Sequence, residues 1–179
     1  MAREYELILY GATGYTGKYC AEHLQSTAPT DLKWAIAGRN ASKLQTIAAE
    51  LKQQNPDRAQ PGVEAINHEP ADLEQLASKT TVLISCVGPF WKFGTPVIEA
   101  CAKQGTHYID ITGEVPWVHD MISRFHDLAK QNQCVLIPQC GIDSVPSDLM
   151  AYVLVKHVRE QYNEGVVEVL NSIQKIKYG

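Results

Sequence analysis

The stretch that decides the fold is Gly11–Gly17 (GATGYTG), which joins a short apolar run, Glu6–Tyr10 (ELILY), to a segment with helical spacing, Tyr15–Gln25. Glycine permits positive φ in such a turn, and a backbone without Cβ atoms lets a pyrophosphate approach closely. The helix start behind the turn offers N–H groups and a positive dipole end. We therefore predict a dinucleotide-binding turn; the alternative is a glycine-rich turn without a ligand. The predicted contact residues are Gly11, Thr13, Gly14, Tyr15, Thr16 and Gly17.

Beyond this turn, short apolar runs alternate with segments of helical spacing. The predicted strands occupy residues 6–10, 32–37, 63–66, 80–87, 107–111 and 135–138. The predicted helices occupy residues 15–25, 41–55, 71–79, 97–104, 118–131 and 148–160. Helices of this length between strands are typical of right-handed βαβ crossovers, which produce parallel strands. The predicted fold class is α/β, a Rossmann-type doubly wound sheet that is mainly parallel.

Capping residues set the expected helix boundaries. Asn40 precedes a run of apolar residues at helical spacing and is predicted to be an N-cap. Thr95, followed by Pro96, is the expected N-cap of the helix over residues 97–104, and Gly105 is expected to end it. Ser147 is the expected cap of the last helix.

The C-terminal stretch departs from this alternation. In Val166–Lys177, apolar and polar residues alternate with a period of two, which predicts a half-exposed strand of an antiparallel sheet. Such a strand is not stable alone. We interpret it as the stump of a second, α+β domain that the chain does not contain. The expected domains are a dinucleotide-binding domain over residues 1–150, then a connecting helix and first strand over 151–179.

Composition restricts the classes of function. The 179 residues are 45% hydrophobic and 20% charged, with a net charge of −4 and no basic run, which argues against nucleic acid or an anionic membrane as partner. Apolar runs are far shorter than the ~20 residues of a membrane span. The charged N-terminus does not resemble a secretory signal. Five cysteines without a C-x-x-C pair predict reduced thiols, no metal site and a cytoplasmic protein.

The cofactor type is determined about 20 residues beyond the glycine turn, where NAD-binding sites carry an acid for the ribose hydroxyls. This chain has Arg39, Ser42 and Lys43 there and no acid. A guanidinium suits the dianionic 2′-phosphate, and a serine hydroxyl adds a donor. We therefore predict NADP(H) rather than NAD(H). The alternative is that the two basic residues are only solvated charges at a helix start.

Three further loops should open on the same edge of the sheet. Residues Cys86, Val87, Gly88 and Pro89 follow the fourth strand and are predicted to line the nicotinamide side of the cofactor site. Cys86 is interpreted as a small buried residue rather than a nucleophile. Glu114 and Asp143 follow the fifth and sixth strands and are candidates for acid–base chemistry or substrate binding. Their alternative roles are those of helix-cap and turn acids.

Five motifs occur in order: GATGYTG (11–17), AGRNASKL (37–44), SCVGPFWKFGTPVIEAC (85–101), HYIDITGE (107–114) and CGIDSVPSD (140–148). With them the chain resembles the saccharopine dehydrogenase-like oxidoreductases, which include trans-acting enoyl reductases, over residues 5 to about 160. The resemblance implies an NADP-binding Rossmann domain followed by a larger α+β domain that covers the nicotinamide and binds a small-molecule or acyl substrate. It also implies hydride transfer to a C=C (enoyl) or C=N bond.

Two other classes of function remain open from the sequence. One is a truncated binding module that holds NADP(H) or a partner without redox chemistry, and the other is a cofactor-independent isomerase or cyclase that uses the cleft as an apolar pocket. The pair Tyr152 and Lys156 fits the Tyr-x-x-x-Lys motif of short-chain dehydrogenases, but it follows the sixth strand and is set aside as a chance match. An aromatic face around residues 90, 91, 93 and 117 is expected to lie uncovered. We therefore expect a homo-oligomer or a partner chain that covers the cleft.

Overall fold

The structure, a computed structural model, describes residues 3–175 and contains a six-stranded sheet. The strands are β1 (Tyr5–Tyr10), β2 (Trp34–Gly38), β3 (Gly62–Ala65), β4 (Thr80–Ser85), β5 (His107–Asp110) and β6 (Leu136–Ile137). Their order is β3-β2-β1-β4-β5-β6, and every neighbouring pair is parallel. The order reverses between β1 and β4, so the switch point lies at the end of β1. The predicted α/β, doubly wound fold is confirmed.

Six helices connect or follow the strands. They are α1 (Tyr15–Thr27), α2 (Ala41–Gln54), α3 (Pro70–Ser78), α4 (Phe90–Gln104), α5 (Val115–Gln131) and α6 (Val145–Tyr162). The Asn40 side chain accepts a hydrogen bond from the Lys43 N–H at 2.9 Å and so caps α2, as predicted. Gly105 ends α4 with a φ of 65°, also as predicted.

Apolar side chains cover both faces of the sheet. All five residues of β2 are buried. Ile8, Tyr10 and Leu83 belong to one core cluster, together with residues of α3, α4 and α5. Leu9 and Ile36 belong to the other, together with residues of α1 and α2. Because each face is packed against helices, β2 is a continuous buried run rather than an alternating one.

The start of α4 differs from the sequence prediction. The helix begins at Phe90 rather than near residue 97, so Pro96 lies inside it and Thr95 is not its N-cap. The cause is a contact from elsewhere in the chain: the Glu114 carboxylate accepts hydrogen bonds from the N–H groups of Phe90 and Trp91, at 2.8 and 2.6 Å. These bonds satisfy donors that a helix start otherwise leaves unpaired. The sequence around residue 90 does not indicate these two hydrogen bonds.

The expected uncovered aromatic face is largely wrong. Phe90 is 6% and Trp117 is 8% exposed, and both belong to the core. The Trp117 indole N–H donates to the Thr95 hydroxyl at 3.0 Å, which gives that threonine a packing role instead of a capping one. Phe93 is partly exposed, and only Trp91 is well exposed, at 67%. The early start of α4 places Phe90 against Trp117 of α5, with ring centroids 5.8 Å apart.

Two expectations for the C-terminal part are wrong. Helix α6 begins at Val145 after Ser144 rather than after Ser147, because Pro146 fits the first helical turn, where its missing N–H costs nothing. Residues 166–175 form no strand. A single strand needs a partner for its ladder hydrogen bonds, and the described residues provide none for this segment. Positions 176 and 177 of the expected strand lie outside the described residues.

The contacts divide the chain into two compact units, with the division between Cys140 and Gly141. The sheet and α1–α5 belong to the first unit, and α6 belongs to the second. The domain division near residue 150 stays a prediction. Within residues 3–175, no helix combines the length and the apolar character that crossing a membrane requires.

Candidate functional site

The glycine turn follows β1 at the switch point. The Gly11 N–H donates to the Ala37 carbonyl of β2 at 2.9 Å, and the φ of Gly11 is 89°. A Cβ at this position would lie 2.7 Å from Cγ2 of Val87 and 3.1 Å from the Cys86 carbonyl carbon. Gly11 therefore lets the turn pass directly against the end of β4, as the motif predicts.

The other two glycines of the turn have different surroundings. A Cβ on Gly17 would lie 2.1 Å from the Gly11 carbonyl oxygen, so this glycine lets α1 pack onto the turn. A Cβ on Gly14 would meet only that same oxygen, at 3.3 Å. The space outside Gly14 is therefore open within the protein, which is what close approach of a pyrophosphate requires.

The N-terminus of α1 fits an anion. Gly14 is its N-cap, no side chain caps it, and its first turn carries no acidic residue. The N–H groups of a first helical turn lack intrahelical acceptors, and the helix dipole places partial positive charge there. Tyr15 and Thr16 are exposed on this turn, and Tyr15 lines a shallow depression with Thr13 and Gly14. This chemistry favours a phosphate group.

The turn forms one wall of a cleft of about 180 Å³ at the carboxyl edge of the sheet. Its predicted lining residues are Gly11, Thr13, Gly14, Arg39, Cys86, Val87 and Gly88. Arg39 lies at the end of β2, across the cleft from the turn, with an exposed side chain. Ser42 and Lys43 are exposed at the start of α2 and do not line the cleft, and neither does Pro89, the N-cap of α4. None of the described side chains that line the cleft is acidic.

The sequence prediction missed four lining residues: Tyr10, Gly38, His68 and Phe93. The Tyr10 hydroxyl lies 2.8 Å from Nδ1 of His68, and the two rings stack with centroids 6.1 Å apart. Phe93 meets the His68 ring edge-on, with centroids 5.6 Å apart. Nε2 of His68 is buried and has no hydrogen-bond partner among the described residues. His68 follows β3, so its place at a strand end is the signal that could have identified it.

Burial sets the proton affinities of this group. It raises the pKa of Tyr10 to about 12, although the Arg39 charge acts in the opposite direction. Burial lowers the pKa of His68, and the Arg39 charge lowers it further, whereas the Phe93 backbone and Glu69 act to raise it. The imidazole is therefore held neutral beside an uncharged phenol, and Arg39 is the cation of the cleft.

We expect the stability of the chain to depend on the protonation of His68. The pKa of His68 is lower in the folded chain than its ordinary value of about 6.5, so the unfolded chain binds this proton more tightly. The free energy of unfolding should fall as the pH decreases below about 6.5. Urea unfolding of wild type and His68→Gln at pH 7.5 and 5.5 measures this. A glutamine can retain a hydrogen bond to Tyr10.

The comparison of the two chains is needed because burial raises the pKa of Asp110, which acts in the opposite direction on acidification. The variant should lose less stability than wild type between the two pH values. Equal losses would show that His68 does not contribute.

Asp110 organises the loops after β5 and β6. Its Oδ1 accepts hydrogen bonds from the N–H groups of Thr112 at 3.0 Å and Gln139 at 2.9 Å, and its Oδ2 accepts one from the Tyr108 hydroxyl at 2.8 Å. Asp110 is fully buried. The sequence prediction passed over this carboxylate because it lies within a strand, yet its bonds bring the two strand ends together.

The two carboxylates predicted from the sequence have different positions. Glu114 holds the N-terminus of α4 and does not line the cleft. Asp143 is exposed in the second compact unit. The two hydrogen bonds that Glu114 accepts from α4 are those of a helix-cap acid, which was the alternative role considered for it. A role for either residue in acid–base chemistry stays a prediction.

Glu114→Ala is expected to reduce the free energy of unfolding by about 1–2 kcal/mol, because two backbone donors of α4 lose a charged acceptor. Chemical denaturation measures this. Asp120→Ala is the matched control: Asp120 is an exposed acid whose surface pair with Arg124 spans 3.5 Å, and it should cost much less. Equal effects of the two substitutions would contradict an anchoring role for Glu114.

This geometry defines a dinucleotide-binding domain of the Rossmann type. Residues 7–137 match the family described as the saccharopine dehydrogenase NADP binding domain. The chain therefore belongs to this family. The cofactor of this family, NADP(H), is the one predicted from Arg39 and from the lack of an acid about 20 residues beyond the glycine turn.

The relatives of the chain are similarly named. It is 39% identical over 158 residues to a trans-acting enoyl reductase of Mycobacterium leprae, covering 88% of this chain and 37% of that protein. It is also 39% identical over 171 residues to one of Mycobacterium tuberculosis (strain ATCC 25618 / H37Rv), covering 95% of this chain and 39% of that protein. The chain thus spans about two fifths of the length of these curated relatives.

Solved structures share the fold at low sequence identity. Apo saccharopine dehydrogenase (L-Glu forming) from Saccharomyces cerevisiae superimposes with a TM-score of 0.69 and 14% identity, over 87% of this chain and 32% of that one. A betaketoacyl-[ACP] reductase (FabG) from Bacteroides thetaiotaomicron gives a TM-score of 0.57 and 11% identity, over 75% and 76%. Both likenesses concern the fold.

Proposed function

We propose that this chain is the NADP(H)-binding part of an oxidoreductase that transfers hydride to the C=C bond of an enoyl substrate. The observation that carries the proposal is the cleft itself: Gly14 and Arg39 both line it, and none of its described lining residues is acidic. A dianionic 2′-phosphate needs such a cation, and a carboxylate at that place would repel it. The name shared by the curated relatives supports the enoyl substrate.

Different residues of the cleft would bind different parts of the cofactor. The turn at residues 11–17 and the first turn of α1 would hold the pyrophosphate. Arg39 would bind the 2′-phosphate, with Ser42 and Lys43 close by at the start of α2. Residues 86–89 would line the nicotinamide side, since they follow β4 across the switch point. When bound, the cofactor would supply the hydride.

The proton that completes the reduction needs a separate donor. Glu114 and Asp143 remain candidates on account of their places after β5 and β6, and a C=N bond remains the alternative acceptor. The two hydrogen bonds that Glu114 accepts from α4 occupy its carboxylate, so its candidacy requires a substrate that displaces one of them. A binding module without redox chemistry is the second candidate function. It is favoured by the absence of an acid among the described cleft-lining residues.

The test follows the absorbance of reduced nicotinamide in the presence of enoyl thioesters or cyclic imines. With the α+β substrate domain implied by the resemblance supplied, NADPH consumption with the thioester, but not with the imine, is the expected result. Tight NADPH binding without turnover under the same conditions would support the binding module. Substrate conversion in the absence of any nicotinamide would support the isomerase or cyclase and contradict the oxidoreductase.

We also expect the chain to associate, either as a homo-oligomer or with a partner chain that covers the cleft. Val167, Leu170 and Ile173 are exposed apolar side chains, and none of the residues of α6 is buried. Exposed apolar surface favours association. Light scattering of the full chain and of a version ending at Gln161 measures this, and the shorter version should associate less. Monodisperse monomers in both samples at micromolar concentration would contradict the expectation.

A further inference from the structure

Two thiols lie in contact beside the cleft. The Cys86 thiol donates a hydrogen bond to Sγ of Cys20, with the two sulfur atoms 3.9 Å apart. Cys20 lies on α1, the helix that begins at the glycine turn, and Cys86 follows β4 and lines the cleft. The pair therefore bridges the two elements that border the switch point.

The surroundings of this pair differ from those of the other cysteines. Cys20 and Cys86 are both partly exposed, whereas Cys101 and Cys134 are buried. The hydrogen bond from Cys86 lowers the pKa of Cys20 to about 7, although burial acts to raise it. The same bond and burial raise the pKa of Cys86, which keeps its proton. The hydrogen bond therefore favours the thiolate of Cys20, which is the form that reacts with oxidants.

We infer that Cys20 and Cys86 form a reversible disulfide on exposure to a peroxide, and that this disulfide lowers the affinity of the cleft for NADP(H). The second half of the inference rests on the proposed function, since it requires NADP(H) to bind in this cleft. The first half depends only on the two thiols.

The chemistry balances with hydrogen peroxide as the oxidant. The Cys20 thiolate attacks one peroxide oxygen, the O–O bond breaks, and the departing hydroxide takes a proton to become water, which leaves a sulfenic acid on Cys20. The Cys86 sulfur then attacks the Cys20 sulfur and the S–O bond breaks. The departing hydroxide takes the Cys86 proton as a second water. Two thiols are oxidised to one disulfide, and one peroxide is reduced to two waters.

The disulfide would disturb the glycine turn because the backbone of Cys86 is held in contact with the turn and with β1. Sulfur atoms that are 3.9 Å apart must approach to about 2.0 Å. The Cys86 N–H donates to the Tyr10 carbonyl at 2.8 Å, and its carbonyl group packs directly against Gly11. A shift of Cys86 toward α1 therefore moves the turn or the end of β4. We expect NADPH affinity to fall by about ten-fold or more, which is the effect of losing one hydrogen bond to a charged phosphate.

Linkage gives a reciprocal effect. If the dithiol form binds NADPH ten-fold more tightly than the disulfide form, saturating NADPH stabilises the dithiol by the same factor. The reduction potential of the pair should then rise by about 30 mV, which is the value of a ten-fold change for a two-electron couple. NADPH is therefore expected to protect the pair from oxidation.

The experiment treats the full chain with hydrogen peroxide, alkylates the remaining thiols and identifies cross-linked peptides by mass spectrometry. NADPH affinity is measured before oxidation, after it and after reduction with dithiothreitol. Cys20→Ser and Cys20→Ala should abolish both the cross-link and the loss of affinity, while reduced chains bind NADPH like wild type. Cys140→Ser, which removes an exposed cysteine, is the matched control and should behave like wild type.

The outcomes separate the two halves of the inference. A Cys20–Cys86 cross-link with a reversible loss of NADPH affinity supports both. A cross-link without loss of affinity overturns the regulatory half, and the absence of this cross-link overturns the whole inference. The same loss of affinity in oxidised Cys20→Ser would also overturn it. If the reduced wild-type chain does not bind NADPH, the proposed function fails, whereas mass spectrometry still decides whether the disulfide forms.

Discussion

Gly14→Val is expected to lower NADPH affinity by about 100-fold, which corresponds to losing one or two charge-assisted contacts of ~1.5–3 kcal/mol each. The side chain would occupy the open space outside Gly14, where we place the pyrophosphate. The fold should persist because Gly14 has an extended conformation, with a φ of −80°, that valine adopts readily. We expect a loss of about 1 kcal/mol in the free energy of unfolding, since valine is a poor N-cap.

Gly17→Ala is the matched control for this substitution. It adds a smaller side chain to the same turn, but its Cβ would lie 2.1 Å from the Gly11 carbonyl oxygen. Overpacking of this kind costs ~1–3 kcal/mol or more. The main effect of Gly17→Ala should therefore be a lower free energy of unfolding, whereas the main effect of Gly14→Val should be a lower NADPH affinity. Circular dichroism, urea unfolding and NADPH titration of both variants separate the two effects. Unchanged NADPH affinity in a well-folded Gly14→Val chain would show that the turn holds no cofactor.

Arg39→Ala is expected to weaken NADPH binding by about 10–100-fold and to leave NADH binding nearly unchanged. The physical reason is the loss of one charge-assisted contact to the 2′-phosphate, worth roughly 1.5–3 kcal/mol. The NADPH affinity of Arg39→Lys should lie between those of wild type and Arg39→Ala, because an ammonium keeps the charge but not the planar pair of donors.

Lys43→Ala tests whether any positive charge near the cleft is enough to strengthen NADPH binding. Lys43 is exposed and does not line the cleft, so its effect on NADPH affinity should be much smaller than that of Arg39. Fluorescence titration of wild type and of the three variants with NADPH and with NADH measures these effects. A parallel loss of NADPH and NADH affinity in Arg39→Ala would show that Arg39 contacts a part common to both cofactors.

Local patterns were enough to predict the parts of the fold that local interactions determine. The turn at residues 11–17 connects adjacent elements, and Asn40 caps a helix with its own side chain, three residues from the donor. Both features were predictable because the residues that cause them lie within a few positions of one another. The parallel arrangement of the strands followed from the lengths of the crossovers and was confirmed.

Features determined by distant contacts were not predictable. The N-terminus of α4 depends on Glu114, which lies 24 residues beyond Phe90. Tyr10 and His68 are 58 residues apart, and Cys20 and Cys86 are 66 apart. The period-two pattern after residue 165 indicated a strand, but a strand also requires a partner. In each case a local pattern does not show which distant residue makes the contact.

The central claim is that the cleft beside Gly14 and Arg39 selects NADP(H). Isothermal titration calorimetry of the reduced wild-type chain with NADPH and with NADH, in the same buffer and at the same ionic strength, tests it most directly. We expect one site per chain and an NADPH affinity at least about ten-fold above that of NADH, as a single charge-assisted phosphate contact provides. Equal affinities for the two nicotinamides, or binding of neither, would contradict it.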